Sequence, residues 1–416
     1  MKLTSTAMLA LESMPPHMLL FEMFPLVFPY FMDFDVVIIG GGLVGASLAS
    51  SLKSSGLGVA LLESQPAQTN FDGWDTRIYA ISPGNAAFLA DCGAWQHLDM
   101  QRVQPVSNMQ IFGDTGAELD FSALQVGAPE LTFILENRLL QQALWQELQH
   151  QENLTLFHPA SCARIDWHSD HAALTLADGH ELRARLVVGA DGPDSWVRQQ
   201  AGISAAPSLY QQHGVVANFV AEKPHRGTAY QWFQPNGILA LLPLPQNMVS
   251  MVWSVSPEKS SSLLSLPAEA LCEQVAEASH HTLGGLKLVT PPAAFPLRIL
   301  KLPNIIAPRL ALIGDAAHNV HPLAGQGVNL GFRDARTLAK ILLERGAQPD
   351  CGDIHLLNRY QRARREDILS MQLTTDALKR LFNNDNPLLR NLRNFGLSFT
   401  NQFAPLKKML ARHALN

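Results

Sequence analysis

The hydrophobic pattern near the start of the chain switches between short apolar runs and helical spacing. Residues 35–39 and 59–62 are rich in Val, Ile and Leu, which is typical of strands in a buried parallel sheet. Between them, apolar side chains recur every fourth residue, at Val44, Leu48 and Leu52. Gly56 and Gly58 end this stretch. The pattern predicts a strand, a core-facing helix and a second strand.

Two further helices are indicated downstream. Ser82 followed by Pro83 predicts a helix start, with a cap and then proline at the first helical position, and Gly93 predicts its end. Asn137 predicts the cap of another helix. Its apolar stripe consists of Leu140, Leu144 and Leu148.

From residue 163 onwards, strand patterns dominate. Residues 163–188 alternate between apolar and polar side chains around an Asp178-Gly179 turn, which indicates a hairpin. Consecutive strands are then predicted at residues 214–220, 228–234, 238–244 and 248–255. Turn residues at 235–237 and 245–247 separate them. Such an antiparallel sheet can leave one face free to cover a ligand.

Five large apolar side chains of this sheet are candidates for lining a pocket: Trp232, Phe233, Leu239, Leu241 and Trp253. The alternative is ordinary core packing, which is the commoner position of any such side chain. Residues 263–278 predict a helix, and residues 295–297 return the chain toward the first unit.

The most specific chemical signal comes late in the chain. An apolar strand at residues 310–313 ends in Gly314-Asp315, and a Pro-Leu-Ala-Gly-Gln-Gly turn at 322–327 precedes a predicted helix. An acid at a strand end can bind sugar hydroxyls. A glycine turn lets backbone N–H groups approach a flat ligand closely.

A second signal is the GxGxxG turn that follows the first strand. Gly40 allows a tight turn, Gly42 lets the backbone reach a pyrophosphate, and Gly45 allows close packing of the helix. Glu63 stands at the tip of the second strand, where an acid binds the ribose hydroxyls of adenosine. This order of elements predicts dinucleotide binding. The alternative is a tight helix-strand turn without a ligand.

The composition excludes some classes of function. The net charge of −5 over 416 residues gives no electrostatic basis for nucleic-acid binding. The four cysteines lie far apart without a CxxC pair, so neither a zinc knuckle nor a disulfide framework is predicted. A reducing cytoplasm fits this cysteine usage.

Residues 1–31 form an apolar, Met-rich extension. Glu12, Glu22 and several prolines interrupt it, and no stretch is long enough for a spanning helix. Met32 opens the run MDFDVVIIGGG. We hypothesise that Met32 is the true start; an intact mass of the native protein that includes residues 1–31 would contradict this.

Three motifs carry a resemblance to a known family. They are the glycine turn with Glu63, the run GADGPDSWVR at residues 189–198, and residues 314–331. From about residue 33 to the C-terminus the chain resembles the ubiquinone-biosynthesis FAD-dependent hydroxylases, within the para-hydroxybenzoate hydroxylase-like class A flavin monooxygenases. The resemblance implies an α/β fold in which a Rossmann-like FAD-binding domain is interleaved with an antiparallel-sheet substrate domain, followed by a C-terminal helical segment.

The expected organisation has five parts. They are the extension 1–31, the first part of the FAD-binding domain with inserted elements 32–212, the substrate-side sheet 213–298, the second part of the FAD-binding domain with helices 299–385, and a C-terminal segment 386–416. This last segment is basic, with interleaved Leu, Phe and Met and no Asp or Glu. It can lie on an anionic membrane surface or on a partner; the alternative is a solvated helix face packed on the FAD domain.

The resemblance also assigns cofactor residues. Arg77 lies near the flavin or its pyrophosphate, with a surface salt bridge as the alternative. Asp191 and Gly192 help to bind FAD and are implicated in use of the reduced nicotinamide; without the family they are a capped strand-to-helix turn. Asp315 contacts the ribityl or phosphate region. The full set is Gly40, Gly42, Gly45, Glu63, Arg77, Asp191, Gly192, Gly314, Asp315, Gly327, Val328 and Asn329.

The implied chemistry is flavin-dependent hydroxylation. Reduced FAD reacts with O2 to give a C4a-hydroperoxide, which transfers an oxygen to an electron-rich phenol ring, and NAD(P)H or another reductant supplies the electrons. The predicted catalytic residues beside the flavin are His321, Pro322, Gly325 and Gln326. Backbone N–H groups of residues 325–328 can stabilise negative charge on the reduced ring. No metal is predicted, because His318 and His321 lack a third ligand at usable spacing. His321 is a candidate for a proton relay, and His318 is a candidate for a packing or capping role.

The implied substrate is a polyprenyl phenol or benzoquinol intermediate of ubiquinone biosynthesis. The family acts at ring carbons 1, 5 and 6, and we favour carbon 5, as in the demethoxyubiquinol-type hydroxylases. Two alternatives stay open: a soluble phenol or salicylate hydroxylase of aromatic catabolism, and a flavin-binding scaffold subunit of a biosynthetic complex. Expected partners are the substrate and other ubiquinone-biosynthesis proteins, with a cytoplasmic location, peripheral on the inner membrane through residues 386–416.

Overall fold

The computed structural model describes residues 32–65, 73–113, 116–204, 208–234, 237–319, 326–346 and 350–382. Several predicted features lie outside these ranges: the extension 1–31, the loop residues His321, Pro322 and Gly325, and the basic segment 386–416.

The described part of the chain contains the following elements. The strands are β1 (Met32–Ile39), β2 (Val59–Leu62), β3 (Ile78–Ile81), β4 (Gln104–Val106), β5 (Asn108–Phe112), β6 (Glu118–Ser122), β7 (Thr132–Glu136), β8 (Leu154–Phe157), β9 (Cys162–Trp167), β10 (Ala172–Leu176), β11 (Glu181–Gly189), β12 (Ser208–Ala221), β13 (Thr228–Gln234), β14 (Gly237–Leu244), β15 (Met248–Val255), β16 (Leu286–Leu288), β17 (Ala293–Ile299), β18 (Ile306–Ala307) and β19 (Leu310–Leu312). The α-helices are α1 (Leu43–Ser51), α2 (Pro83–Asp91), α3 (Ala123–Val126), α4 (Asn137–Leu148), α5 (Trp196–Gln200), α6 (Pro257–Leu264), α7 (Ala268–Ala278), α8 (Gln326–Leu343) and α9 (Ile354–Phe382).

The predicted β1-α1-β2 unit forms the centre of an eight-stranded sheet. Its main path runs β18-β19-β11-β1-β2-β8, and the pairs β19-β11, β11-β1, β1-β2 and β2-β8 are parallel. The predicted hairpin at Asp178-Gly179 joins β10 to β11. In sheets of this kind, ligands bind at the carboxyl ends of the strands, so the turns after β1, β11 and β19 mark the expected site.

Helices pack on this sheet through the apolar stripes that the sequence indicates. Helix α1 contacts α8 and α4, and its Leu48 and Leu52 are fully buried. Leu140, Leu144 and Leu148 of α4 are buried as well. The helix at Pro83 also begins where predicted, with Ser82 in the N-cap position. The predicted cap of α4 is one residue late, because Glu136 is the N-cap and Asn137 is the first helical residue.

The second sheet has the order β16-β12-β15-β14-β13-β5-β6, with β17 also paired to β12. Strands β12 to β15 pair antiparallel, as predicted. Strand β5 joins β13 in parallel, which the local pattern did not predict. A three-stranded sheet, β3-β7-β4, packs beside it through Ala80, Ile134 and Leu244.

The two faces of the second sheet have different partners. The predicted pocket residues Trp232, Leu239, Leu241 and Trp253 pack in a core with α6 and α7, and Phe233 is buried too. None of the five lines the cavity, which is lined instead by Ile238, Ala240 and Leu242. The pocket prediction was therefore wrong, and core packing is confirmed for Trp232, Leu239, Leu241 and Trp253, whose side chains point to the face opposite the lining residues of the same strands.

The single helix predicted over residues 263–278 is also wrong. The chain forms α6 and α7 with a break at residues 265–267. Pro267 is the N-cap of α7 in an extended conformation. Proline removes a helical hydrogen bond and disfavours helical geometry in the residue before it, so a continuous helix cannot pass this point.

Candidate active site

A cavity of about 950 Å3 lies between the carboxyl edge of the parallel sheet and the inner face of the second sheet. The turns after β1, β11 and β19 form one wall, through Gly42, Gly192 and Gly314 among others. Strands β12 to β15 and β17 form the opposite wall. The cavity thus joins the three predicted cofactor motifs to the predicted substrate-side sheet.

The glycine turn after β1 has the geometry that its sequence indicates. Gly40 has a φ of +109°, and a Cβ there would lie 2.4 Å from the carbonyl oxygen of Ala190. A Cβ on Gly45 would lie 1.9 Å from the carbonyl oxygen of Gly40. By contrast, a Cβ on Gly42 would meet no protein atom within 4 Å. Because Gly42 lines the cavity, the open space beside it fits a pyrophosphate approaching the backbone.

Glu63 lies against this turn, outside the lining of the cavity. Its Oε2 accepts a hydrogen bond from the Gly41 amide at 2.7 Å, and its Oε1 accepts one from the Gln65 amide at 2.8 Å. The Trp145 indole donates to the Gly41 carbonyl at 2.9 Å. The carboxylate is therefore held at the tip of β2, the position predicted for a ribose-binding acid.

The motif after β11 combines a capped turn with an unpaired carboxylate oxygen. Asp191 Oδ2 accepts a hydrogen bond from the Val197 amide at 3.0 Å, while no described donor reaches its buried Oδ1. Ser195 caps α5. Gly192, with a φ of +87°, lines the cavity, and a Cβ there would again meet no protein atom within 4 Å. This part of the wall therefore offers open space at Gly192, while the Asp191 carboxylate lies behind the lining and caps the turn.

Arg198 connects the second motif to the third. Its guanidinium is buried and donates to the carbonyl oxygens of Pro193 at 3.0 Å and Ala316 at 2.9 Å. The sequence motif contains this arginine, but only the fold shows that it joins the two turns.

The third motif presents an acid to the cavity. Asp315 lines it together with Arg77 and Tyr79. Desolvation by the surrounding protein raises the pKa of the Asp315 carboxyl, and Coulomb interactions with His318 and Arg77 partly oppose that shift. Burial also raises the pKa of the Tyr79 phenol. Arg77 thus lines the cavity together with an acid whose charge it influences.

His318 belongs to a buried charged group behind this wall. Its Nε2 lies 2.6 Å from Asp334 Oδ2, which also accepts a hydrogen bond from the Gly314 amide at 2.9 Å. Arg364 Nε donates to Asp334 Oδ1 at 2.7 Å. Although burial alone would raise it, the pKa of Asp334 is lowered because His318 and Arg364 favour the carboxylate. His318 therefore packs against the turn. The described residues contain no group of three His, Cys, Asp or Glu side chains placed to hold a metal.

The first turn of α8 supplies Gly327 and Val328 to the cavity, but Asn329 lies behind it. Asn329 Oδ1 accepts from the Ser82 amide at 3.0 Å and from Asn85 Nδ2 at 2.9 Å, and its Nδ2 donates to the Ala80 carbonyl at 2.7 Å. Its amide thus fixes α8 to β3 and α2. Gln326 begins α8.

Sequence reasoning missed several polar groups of the lining, among them Ser82 and Gln231. Ser82 reaches the cavity, and its buried Oγ has no described hydrogen-bond partner. Gln231 reaches it from the second sheet. Alternation of side chains along β13 could have predicted the position of Gln231, because it places this residue on the face opposite Tyr230 and Trp232.

Comparison with known proteins agrees with this geometry. Residues 33–372 match the FAD binding domain family. The 3-demethoxyubiquinol 3-hydroxylase of Escherichia coli K12 is 36% identical over 92% of this chain and 98% of its own length. Ubiquinone hydroxylase UbiL of Rhodospirillum rubrum is 37% identical over 92% and 89%, and human ubiquinone biosynthesis monooxygenase COQ6 is 32% identical over 92% of each chain.

A solved structure has the same fold. The p-nitrophenol 4-monooxygenase PnpA of Pseudomonas putida DLL-E4 superposes with a TM-score of 0.75 over 93% of this chain and 99% of its own, at 20% identity. At this level of identity the likeness concerns the fold alone.

We predict that Gly42→Ala and Gly45→Ala have different effects. In Gly42→Ala the new methyl meets no protein atom but enters the space for the pyrophosphate, so the apoprotein should fold while FAD affinity falls by about ten- to a hundredfold. Gly45→Ala forces backbone to move and should lower the thermal stability of the apoprotein. FAD titration and thermal unfolding measure the two effects. Equal FAD affinity in Gly42→Ala and the wild type would argue against the pyrophosphate position.

We further predict that Asp334→Asn costs about 3–5 kcal/mol of stability at neutral pH, because it leaves His318 and Arg364 without a buried carboxylate. An acid whose pKa is lower in the folded than in the unfolded protein stabilises the fold at pH values above its unfolded pKa, which is near 4. This stabilisation is lost as the pH falls through the folded-state pKa of Asp334. The gap between variant and wild type should therefore shrink at acid pH.

Denaturant unfolding at several pH values provides the measurement. Glu344→Gln is the control, because Glu344 forms only an exposed pair with Lys340 and should change stability by less than about 1 kcal/mol. A gap between Asp334→Asn and the wild type that stays constant down to acid pH would show that the stability does not come from the ionised Asp334 carboxylate.

Proposed function

Because this chain belongs to the ubiquinone-biosynthesis FAD-dependent hydroxylase family and is an FAD-dependent monooxygenase, we propose that it hydroxylates the aromatic ring of a polyprenylated phenol or benzoquinol in ubiquinone biosynthesis. The observation that carries the proposal is the single cavity that connects the three cofactor turns to an apolar sheet face. A flat aromatic ring bearing a long apolar chain suits such a lining.

The residues of the first wall fit FAD. Gly40, Gly42 and Gly45 with Glu63 would hold its adenosine and pyrophosphate, since Gly42 leaves open space and Glu63 is fixed at the strand tip. Asp191, Gly192, Gly314 and Asp315 with Arg77 would hold the remainder of the pyrophosphate and the ribityl chain. When bound, FAD supplies the redox chemistry, accepting electrons from NAD(P)H or another reductant and activating O2.

The chain contributes electrostatic stabilisation at the start of α8. Gly327 and Val328 stand in its first turn and line the cavity. The first backbone N–H groups of a helix have no intrahelical acceptor and carry partial positive charge, so they can donate to an anionic ring edge. We also propose that His321, Pro322, Gly325 and Gln326 act beside the flavin, as the sequence predicts. Asn329, which the sequence predicts among the cofactor residues, supports this turn through α2 and β3.

The second wall orients the substrate and keeps out water. Leu242, Val252 and Phe295 are among the apolar side chains that line it. Such a lining favours a phenol ring over water and places it across the cavity from the cofactor turns. We propose carbon 5 as the hydroxylated position, as in the demethoxyubiquinol-type hydroxylases.

Quinone profiling of a deletion strain tests the pathway and the position together. We expect a prenylated intermediate that lacks one hydroxyl to accumulate, and its mass spectrum should identify the ring carbon. Complementation with the wild type should restore ubiquinone, whereas Gly42→Ala should restore less. Unchanged ubiquinone without an accumulating intermediate would contradict the pathway assignment.

We also propose that the enzyme is cytoplasmic and attaches peripherally to the membrane that holds its substrate. No helix in the described ranges is long and apolar enough to cross a bilayer. Leu369 and Leu373 are exposed one turn apart on α9, which leads toward the basic segment 386–416. A basic segment with interleaved apolar residues suits an anionic membrane surface.

Flotation with anionic vesicles tests this attachment. The full chain should float with the lipid and be released by salt, because its basic residues act through charge. A chain ending at residue 385 should float less. Equal flotation of both chains would remove the C-terminal segment from the interaction.

A further inference from the structure

One row of side chains crosses the cavity face of the second sheet, and a single member of it is polar. The row is set by strand register and consists of Gln231, Ala240, Val252, Val216 and Ala293. All five line the cavity. We infer that Gln231 is the residue that recognises an oxygen substituent on the aromatic ring of the substrate. This inference rests on the proposed function, because it assumes an aromatic substrate in this cavity.

The composition of the row favours a flat ring above it. Ala240 and Ala293 project only a methyl group, and Val216 and Val252 are short. The row lies on the wall opposite the cofactor turns, so a ring resting on it would face the flavin side of the cavity. Small apolar side chains give a ring a surface to pack on, but they do not determine how the ring is rotated in its own plane. A polar group at one end of the row can supply that direction.

Gln231 has the properties of such a group. It is only 5% exposed, and its side-chain amide has no hydrogen-bond partner among the described residues. Because Gln231 lines the cavity, its amide is open to a ligand on that side, and a ligand oxygen could accept a hydrogen bond that no described residue makes. Tyr230 and Trp232, its neighbours on β13, stack on each other with ring centroids 5.8 Å apart, so β13 holds the amide between two packed residues.

The next row offers a matched control. Ser254 pairs with Ile238, lines the cavity and is buried. Its hydroxyl is shorter than the Gln231 side chain and can turn to a backbone carbonyl, as serine hydroxyls commonly do. Ser254→Ala therefore changes the polarity of the same wall without removing the amide.

The test is a comparison of two probes on the FAD-loaded enzyme. One is a short-chain prenylated phenol, and the other is the same prenylated ring without the hydroxyl. Dissociation constants are obtained from the change in flavin absorbance on titration. The ratio of the two constants isolates the contribution of the hydroxyl, and comparing this ratio between variants cancels differences in general affinity.

We expect Gln231→Met, which matches the length of Gln without its amide, to reduce the preference for the phenol by about tenfold. Gln231→Leu should do the same if the Met variant folds poorly, and FAD content with thermal unfolding verifies both proteins. Ser254→Ala should keep the wild-type ratio. These outcomes would support the assignment.

Other outcomes would overturn it. A wild-type ratio in Gln231→Met shows that the amide does not contact the hydroxyl, while the proposed function stands. An equal loss of the preference for the phenol in Ser254→Ala shows that the wall discriminates by its general polarity and not through Gln231. Binding of neither probe by the wild-type holoenzyme removes the proposed substrate class, and the inference with it.

Discussion

The close packing of backbone around Val44 is the constraint on which the rest of the structure depends. A Cβ on Gly331 would lie 2.6 Å from this side chain, and a Cβ on Gly314 would lie 3.3 Å from it. One residue along α1, Gly45 leaves no room for a Cβ beside the carbonyl oxygen of Gly40. Since protein interiors are close-packed, the third motif can approach the Val44 side chain of the first motif only where it presents glycine backbone. Their cofactor groups are thereby fixed relative to one another.

Polar contacts then hold the turns that packing has brought together. Arg198 fastens the second motif to the third through two carbonyl oxygens, and Asp334 fixes the Gly314 amide while binding His318 and Arg364. Most of these donors and acceptors are buried, where an unmade hydrogen bond is costly. The wall of the site is thus rigid on the cofactor side, and the apolar sheet face can be shaped for substrate without disturbing it.

Local patterns in the sequence predicted much of this arrangement. The β1-α1-β2 unit, the glycine turn and the strands of the second sheet follow periods that a few neighbouring residues reveal. Non-local pairing was beyond such reasoning, as with the parallel contact of β5 and β13. The large aromatic side chains of Trp232 and Trp253 suggested a pocket, whereas in the structure they pack in the core against α6 and α7. Asn329 belongs to the predicted motif, yet its partners Ser82 and Asn85 come from a remote helix start, so its position behind the wall required the fold.

The parallel pairing of β5 with β13 has a consequence for modularity. Strands β5 and β6 come early in the chain, between elements of the first unit, yet they complete the edge of the second sheet. No single cut in the polypeptide separates a flavoprotein half from a substrate half, since each would lack strands supplied by the other. A shuffling event that exchanges contiguous gene segments would therefore break both. New substrate preferences in such an architecture are expected to arise by point substitutions on the cavity face, and not by transplanting a domain.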